Sequence, residues 1–137
     1  MSQENYRHDS ARWFRQAKAD IAAARSSLKN GIYEWACFQA QQSAEKALKA
    51  LWYHNLTEPW GHSVYKLIAA LPKDNIKKSL TPLIDLAREL DKLCIPTRYP
   101  NGLPELTPSE IFTKGEASRA IKSAQAIIDK AGSIINS

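Results

Sequence analysis

Apolar residues recur every three or four positions along three long stretches of this 137-residue chain. That spacing places them on one face of an α-helix, and no stretch shows the alternation of a β-strand. The predicted helices are Ser10 to Asn30, Tyr33 to His54, Ser63 to Leu71, Thr81 to Leu93, and a last helix that begins at Thr113. The sequence therefore predicts an all-α fold, an up-and-down antiparallel bundle of four to five helices.

Local signals fix several of the predicted helix ends. Gly31 is suited to the left-handed position that ends the first helix. Thr81 is a candidate N-cap followed by Pro82, a favoured first helical residue. Thr113 and Glu116 have the spacing of a capping box at the start of the last helix.

Length and composition predict a single domain. A chain of this size usually forms one domain, and its 44% hydrophobic and 24% charged residues are typical of globular proteins. Asp9 or Ser10 is expected to cap the first helix, which leaves residues 1–9 as a flexible N-terminal segment. We expect the helical domain to occupy residues 10–137.

The two cysteines argue against disulfide or metal chemistry. Cys37 and Cys94 are too few for a disulfide framework, and neither has a second ligand at metal-binding spacing. No signal peptide is recognisable, and no apolar stretch reaches the ~20 residues that span a membrane. We therefore expect a reduced, cytoplasmic protein without a metal, a cofactor or a membrane partner.

The second predicted helix carries a polar strip, formed by Gln41, Glu45 and Lys49 at four-residue spacing. Such a strip is commonly a solvated helix face, with Glu45 and Lys49 paired one turn apart. The alternative is that it lines a polar cleft. Spacing alone does not decide between these two interpretations.

Two further side chains are candidates for chemistry. His62 ionises near neutral pH and can act as an acid, a base or a phosphate contact, although His62 and Ser63 can also simply cap a helix. Arg98 lies in the proline-rich loop from Ile95 to Pro108, where it can bind a phosphate bidentately. Alternatively, Arg98 pairs with Asp91 or Glu89 and ties the loop to the preceding helix.

Charge and aromatic residues suggest partners. The net charge is +5, and Arg15, Lys18, Arg25 and Lys29 fall on one side of the first helix, either as an RNA-facing stripe or as an ordinary wet face. The second helix also bears four large aromatic side chains outside its central apolar stripe. These are Trp35, Phe38, Trp52 and Tyr53. One small bundle is not expected to bury them all, so we predict a homodimer.

The order of three motifs resembles the HEPN domain family (higher eukaryotes and prokaryotes nucleotide-binding domain). They are Ala40-Gln41-Gln42-Ser43-Ala44-Glu45-Lys46-Ala47-Leu48-Lys49-Ala50-Leu51, then Gly61-His62-Ser63, then Arg98-Tyr99-Pro100. The run from Gly31 to Phe38 is also similar to the family's entry into its second helix. The resemblance extends from about Ala11 to Ile135.

The resemblance implies a helical bundle, commonly a homodimer, with nucleotide binding proposed for the family. Several members are RNA-cleaving toxins, and others work with a small nucleotidyltransferase as partner or antitoxin. It places a nucleotide- or phosphate-binding site at Gln41, Glu45, Lys49, His62, Arg98 and Tyr99, with His62 and Arg98 as the catalytic candidates.

One feature of the family's nucleases is missing. They carry Arg, then four to six residues, then His, but the corresponding positions after Arg98 are Leu103, Pro104 and Glu105. Our first hypothesis is therefore a nucleotide- or RNA-phosphate-binding protein of a toxin–antitoxin-type module with a nucleotidyltransferase partner. The alternatives are an RNase toxin that uses an atypical Arg98/His62 pair, and a dimeric protein-interaction module. The RNase alternative requires His62 to reach Arg98 in space.

Overall fold

The computed structural model describes residues 2–137 and is built from α-helices, with no β-strand in that range. In chain order the helices are α1 (Gln3–Lys29), α2 (Tyr33–His54), α3 (Val64–Ala69), α4 (Asp74–Leu80), α5 (Ile84–Asp91), α6 (Pro108–Ile111) and α7 (Lys114–Ile135). Two 3₁₀ turns, Thr81–Leu83 and Pro100–Gly102, lie between them. The predicted all-α class is confirmed.

Helix α2 lies at the centre of the protein. It packs most extensively against α1 and α7, and it also contacts α3, α5 and α6. Its buried alanines, Ala36, Ala40, Ala44 and Ala47, allow neighbouring backbones to approach closely. Because α2 is surrounded on several sides, both its polar and its apolar faces are covered by the same chain.

The turn between α1 and α2 and the start of α7 follow the sequence signals. Gly31 has φ +76°, the left-handed conformation expected after the last residue of α1. Thr113 and Glu116 form the predicted capping box, with Thr113 Oγ1 accepting from the Glu116 N–H at 3.2 Å. Near the other end of α7, a Cβ on Gly132 would lie 2.9 Å from Phe14 Cζ, so α1 and α7 are in close contact there.

The predicted start of α1 was wrong. The helix begins at Gln3 with Ser2 as its N-cap, so most of the segment expected to be flexible is helical. Ser10, expected as a cap, is instead buried inside the helix and donates from Oγ to the Ala50 carbonyl at 2.8 Å. Tyr6 packs on Tyr53 with ring centroids 6.3 Å apart, which extends the α1–α2 contact beyond Ser10.

The central part of the chain differs most from the prediction. A helix was expected from Thr81 to Leu93, but Thr81 ends α4 and its Oγ1 donates to the Lys77 carbonyl at 2.8 Å. Helix α4 itself was not predicted, and α5 begins only at Ile84. Short helices carry too few turns for a clear apolar period, so their limits depend on tertiary packing.

No helix within residues 2–137 is long and apolar enough to cross a membrane.

Candidate functional site

The polar strip on α2 is buried. Gln41, Glu45 and Lys49 are 0%, 3% and 8% exposed, so the interpretation as a solvated helix face was wrong. The reason is the central position of α2, whose polar face is covered by other parts of the chain. A buried carboxylate and a buried ammonium require partners, and the strip supplies them to each other.

Glu45 is the hub of this strip. Its Oε2 lies 3.3 Å from Lys49 Nζ, and its Oε1 accepts from Gln41 Nε2 at 3.4 Å. Lys49 Nζ also lies 5.3 Å from the centroid of the Trp13 ring, which covers it from α1. The third neighbour is His62, whose Nδ1 lies 3.3 Å from Glu45 Oε2.

The turn before α3 presents His62. Gly61 adopts φ +89°, and Ser63 caps α3 by accepting the Lys66 N–H at 3.1 Å. The capping interpretation is therefore confirmed for Ser63, whereas His62 points to Glu45 with its side chain 82% exposed. A carboxylate only accepts hydrogen bonds, so this contact favours a proton on Nδ1 and leaves Nε2 without a hydrogen-bond partner in residues 2–137.

Asp91 holds this turn in place from α5. Its Oδ2 accepts from Ser63 Oγ at 2.8 Å and from the Tyr65 N–H at 3.1 Å, and its Oδ1 accepts from the Val64 N–H at 2.7 Å. The predicted pairing of Arg98 with Asp91 or Glu89 is wrong, because Asp91 is occupied here and Glu89 pairs with Lys92. Sequence reasoning missed this role, which depends on α3 packing against α5.

Arg98 makes cation–π contacts with two aromatic rings. Its guanidinium carbon lies 4.4 Å from the centroid of Phe38 and 5.2 Å from that of Tyr99. Arg98 Nε donates to the Cys94 carbonyl at 2.9 Å, and Nη2 lies 3.6 Å from Cys94 Sγ. Within residues 2–137 no carboxylate lies within 4 Å of this guanidinium. Arg98 is thus an oriented cation with terminal N–H groups available for an anion.

His62 and Arg98 line the same cavity. It has a volume of about 320 Å³, and its walls are Phe38, Gln42, Glu45, His62, Cys94 and Arg98. Of the other predicted site residues, Gln41 and Lys49 contribute by fixing Glu45, and exposed Tyr99 stacks on Arg98. The cavity combines one buried carboxylate with an imidazole and a guanidinium, a set suited to binding an anion and moving a proton.

Sequence reasoning missed Phe38, Gln42 and Cys94 as cavity walls. Phe38 was assigned to an intermolecular surface, but it supports Arg98. The four-residue spacing between Cys94 and Arg98, which is one helical turn, is the only signal that links those two in the sequence. Nothing local links either of them to α2.

Cys37 is buried and Cys94 is half-buried, and both are free thiols in the structure. Burial, with the nearby carboxylates of Glu116 and Glu34, raises the pKa of Cys37 to about 12. Its thiol is therefore protonated at neutral pH and packs as a small apolar group. Within the described part of the chain, no group of three His, Cys, Asp or Glu side chains is arranged to hold a metal ion.

The basic stripe of α1 is exposed along its whole length. Two of its members have contacts within the chain, since Arg25 donates to Gln125 at 2.6 Å and Lys18 lies 5.6 Å from the Phe14 ring centroid. Arg15 lines a shallow groove of about 570 Å³ together with Arg12 and Lys46. That groove is larger than the His62/Arg98 cavity, but Lys46 is paired with Asp20 and Arg12 with Asp9.

Comparison with known proteins gives a family. Residues 10–134 match the HEPN domain. Two solved structures share the fold. TT1696 from Thermus thermophilus is 38% identical with a TM-score of 0.84, and the match covers 90% of this chain and 96% of that one. ST0689, described as an archaeal HEPN homologue, is 34% identical with a TM-score of 0.76, and the match covers 92% of this chain and 97% of that one.

Two further sequences are also similar. Human sacsin is 30% identical over 126 residues, which are 89% of this chain but only 3% of sacsin. A protein of Methanocaldococcus jannaschii named "Putative toxin MJ1304" is 26% identical over 127 residues, which are 85% of this chain and 82% of that protein. The archaeal protein is thus similar over most of its length, whereas sacsin is similar over one small segment.

Proposed function

The chain belongs to the HEPN domain family, and we propose that it is a toxin-like member that binds an RNA or nucleotide phosphate between His62 and Arg98. The observation that carries this proposal is the convergence of these two side chains, from different parts of the chain, on one cavity of about 320 Å³. The similarity to an archaeal protein named as a toxin supports the biological class.

The surroundings of Arg98 favour an anionic ligand. Its stacking on Phe38 and Tyr99 and its bond to the Cys94 carbonyl reduce the side-chain freedom that binding would otherwise have to restrict. With no carboxylate paired to it in residues 2–137, its remaining N–H donors are suited to a bidentate bond to phosphate oxygens. His62, held by Glu45, supplies a second donor when it is protonated.

Binding to a fluorescein-labelled single-stranded RNA dodecamer and to ATP tests this proposal. We expect Arg98→Ala to weaken RNA binding by about 1.5–3 kcal/mol, the range for hydrogen bonds to charged groups, and Arg98→Lys to recover only part of it because an ammonium is not bidentate. Arg25→Ala removes an exposed arginine of the basic stripe on α1 and should retain affinity. A loss in Arg25→Ala but not in Arg98→Ala would assign RNA binding to that stripe. Equal affinity of Arg98→Ala and the wild type would contradict the proposal.

RNA cleavage is a second candidate function, favoured by the contact of His62 Nδ1 with Glu45 Oε2 at 3.3 Å. With Nδ1 protonated, Nε2 is free to take the proton of a ribose 2′-hydroxyl, whose oxygen then attacks the phosphorus and breaks its bond to the 5′-oxygen. The leaving 5′-oxygen takes a proton from the imidazolium or from water. Arg98 would stabilise the charge on the phosphoryl oxygens.

The products identify this reaction. Cleavage should leave 2′,3′-cyclic phosphate and 5′-hydroxyl ends and should persist in EDTA. His62→Ala should abolish it and relieve growth arrest on expression, whereas His8→Ala, which changes an exposed histidine of α1, should have no effect. Intact RNA after prolonged incubation with the wild-type protein would exclude this second function.

We also propose two protein partners. Family membership favours a nucleotidyltransferase that acts with this chain, which co-purification of the two co-expressed proteins would test. A homodimer is favoured by Ile32 and Trp35, which remain exposed at the start of α2. Trp52 and Tyr53, which also motivated the dimer, are buried within the chain, so they no longer support it. If the homodimer forms, light scattering at micromolar concentration should give about twice the chain mass.

A further inference from the structure

Trp60 is the most exposed large apolar side chain of the described residues, at 83%. It lies in the segment between α2 and α3, two positions before His62. Exposing a whole indole to water is costly, and exposed aromatic side chains beside cavities commonly bind ligands. Neither the bundle core nor the phosphate site described above uses this ring.

A second cavity, of about 400 Å³, opens beside Trp60. Trp52 forms part of its wall and is fixed by its indole N–H, which donates to the Leu67 carbonyl at 2.9 Å. Ala69 and Ala70 contribute small apolar side chains to the lining. The cavity therefore offers apolar surfaces and a free aromatic face, in a volume within the range of small-ligand pockets.

The polar residues of this cavity are complementary to an anion. Its lining includes Lys66 and His62, and no acidic side chain of the described residues lines it. Lys66 has no carboxylate within 4 Å in residues 2–137. A nucleotide combines a flat base with a phosphate, which matches an exposed indole beside the ammonium of Lys66.

His62 lines both this cavity and the one that contains Arg98. We infer that Trp60 is a base-stacking subsite, on which an unpaired base of single-stranded RNA lies while an adjacent phosphate occupies the His62/Arg98 cavity. This inference rests on the proposed phosphate site and specifies its substrate as single-stranded rather than duplex RNA. A base within a duplex is already stacked on its neighbours and cannot lie on Trp60.

Substitutions at position 60 test the stacking. With a labelled single-stranded RNA dodecamer, Trp60→Ala and Trp60→Leu should weaken binding by roughly 5- to 150-fold, the range for one lost base–aromatic stack, while Trp60→Phe should retain most of it. Leu is apolar but has no π-face, so it separates stacking from simple hydrophobic contact. Trp60 is exposed, so all three variants should unfold at the wild-type temperature. Ile111→Ala, an exposed apolar residue that lines neither cavity, is the matched control.

Two further measurements sharpen this test. Saturating single-stranded RNA should quench tryptophan fluorescence, and Trp60→Phe should lose that quenching while retaining its affinity. The wild type should bind the dodecamer at least tenfold more tightly than the duplex made from it and its complement.

The outcomes distinguish the two proposals. If Arg98→Ala weakens RNA binding and Trp60→Leu does not, the phosphate site stands and the stacking subsite is overturned. If Trp60→Leu weakens binding and Arg98→Ala does not, RNA stacks on Trp60, but the phosphate site fails and the placement of the adjacent phosphate is overturned with it. Equal affinity for duplex and single strand, or retained affinity in Trp60→Ala, overturns the inference and assigns the exposed indole to another partner.

Discussion

Glu45 has two basic neighbours, and they lie in opposite surroundings. The side chain of Lys49 is 10% exposed and is covered by the Trp13 ring, whereas the side chain of His62 is 82% exposed, although both lie 3.3 Å from Glu45 Oε2. The Lys49 side forms a closed ion pair in the protein interior. The His62 side is open to a ligand. His62 is positioned by the turn before α3, which Ser63 and Asp91 hold through hydrogen bonds to backbone N–H groups. The same carboxylate therefore serves stability on one side and the candidate site on the other.

The largest effect is expected on the closed side. Lys49→Met removes the ammonium and leaves Glu45 buried without its counter-ion, so the free energy of unfolding should fall by about 3–5 kcal/mol in urea denaturation. The double variant Glu45→Gln/Lys49→Met should recover most of this loss, because a neutral amide needs no counter-ion. If Lys49→Met is as stable as the wild type, the Glu45–Lys49 ion pair does not contribute to stability as proposed.

The next largest effect is expected at Asp91, which holds the turn that positions His62. Asp91→Ala removes three hydrogen bonds to the start of α3, including those from the Val64 and Tyr65 N–H groups, and should cost about 2–3 kcal/mol of stability. Hydrogen exchange of those two amides should accelerate. Glu89→Ala on the same helix is the control, since it removes only an exposed pair with Lys92 and should change stability by less than about 0.5 kcal/mol. Equal effects of the two variants would remove Asp91 from this role.

A smaller effect on stability is expected for Arg98, which lines the open cavity with His62. Arg98→Ala should lower the free energy of unfolding by less than about 1 kcal/mol, because the part-buried side chain contributes limited packing on Phe38 and one bond to the Cys94 carbonyl. Its main effect should be on RNA affinity, whereas the main effect of Lys49→Met should be on stability. A loss of several kcal/mol would place Arg98 with the structural residues.

The smallest effect is a pH dependence at the end of α2. Burial, with Lys73 and Arg7 nearby, lowers the pKa of His54 below its ordinary value of 6.5. The unfolded state then binds the proton more readily, so the stability contributed by neutral His54 is present above pH 6.5 and is lost as the pH falls through the folded-state pKa. Between pH 7.5 and 5.5 the Tm of the wild type should fall about 1–3 °C more than that of His54→Gln. Parallel Tm curves would contradict this assignment.

The sequence predictions were accurate where structure depends on local contacts and inaccurate where it depends on long-range contacts. The limits of α2 and the capping box of α7 were predicted correctly, since both depend on residues within one or two turns. The segment between α2 and α7 was predicted poorly, because its short helices are defined by what they pack against. His62 was selected for its imidazole and Arg98 for its place in a proline-rich loop, and the family resemblance added to that selection, but their place in one cavity required the structure.

The sequence by itself determined that this chain is helical, where α1 ends, where α2 begins and ends, where α7 begins, and which family the chain belongs to. The physical reason is that helical periodicity, caps and breakers act over three to seven residues and are readable without knowledge of neighbours. The tertiary structure alone decided that the Gln41–Glu45–Lys49 strip is buried and that His62 meets Glu45, 17 positions away. Which face of α2 becomes covered depends on how α1, α3, α5 and α7 pack around it, and that arrangement leaves no local signature in the residues of α2.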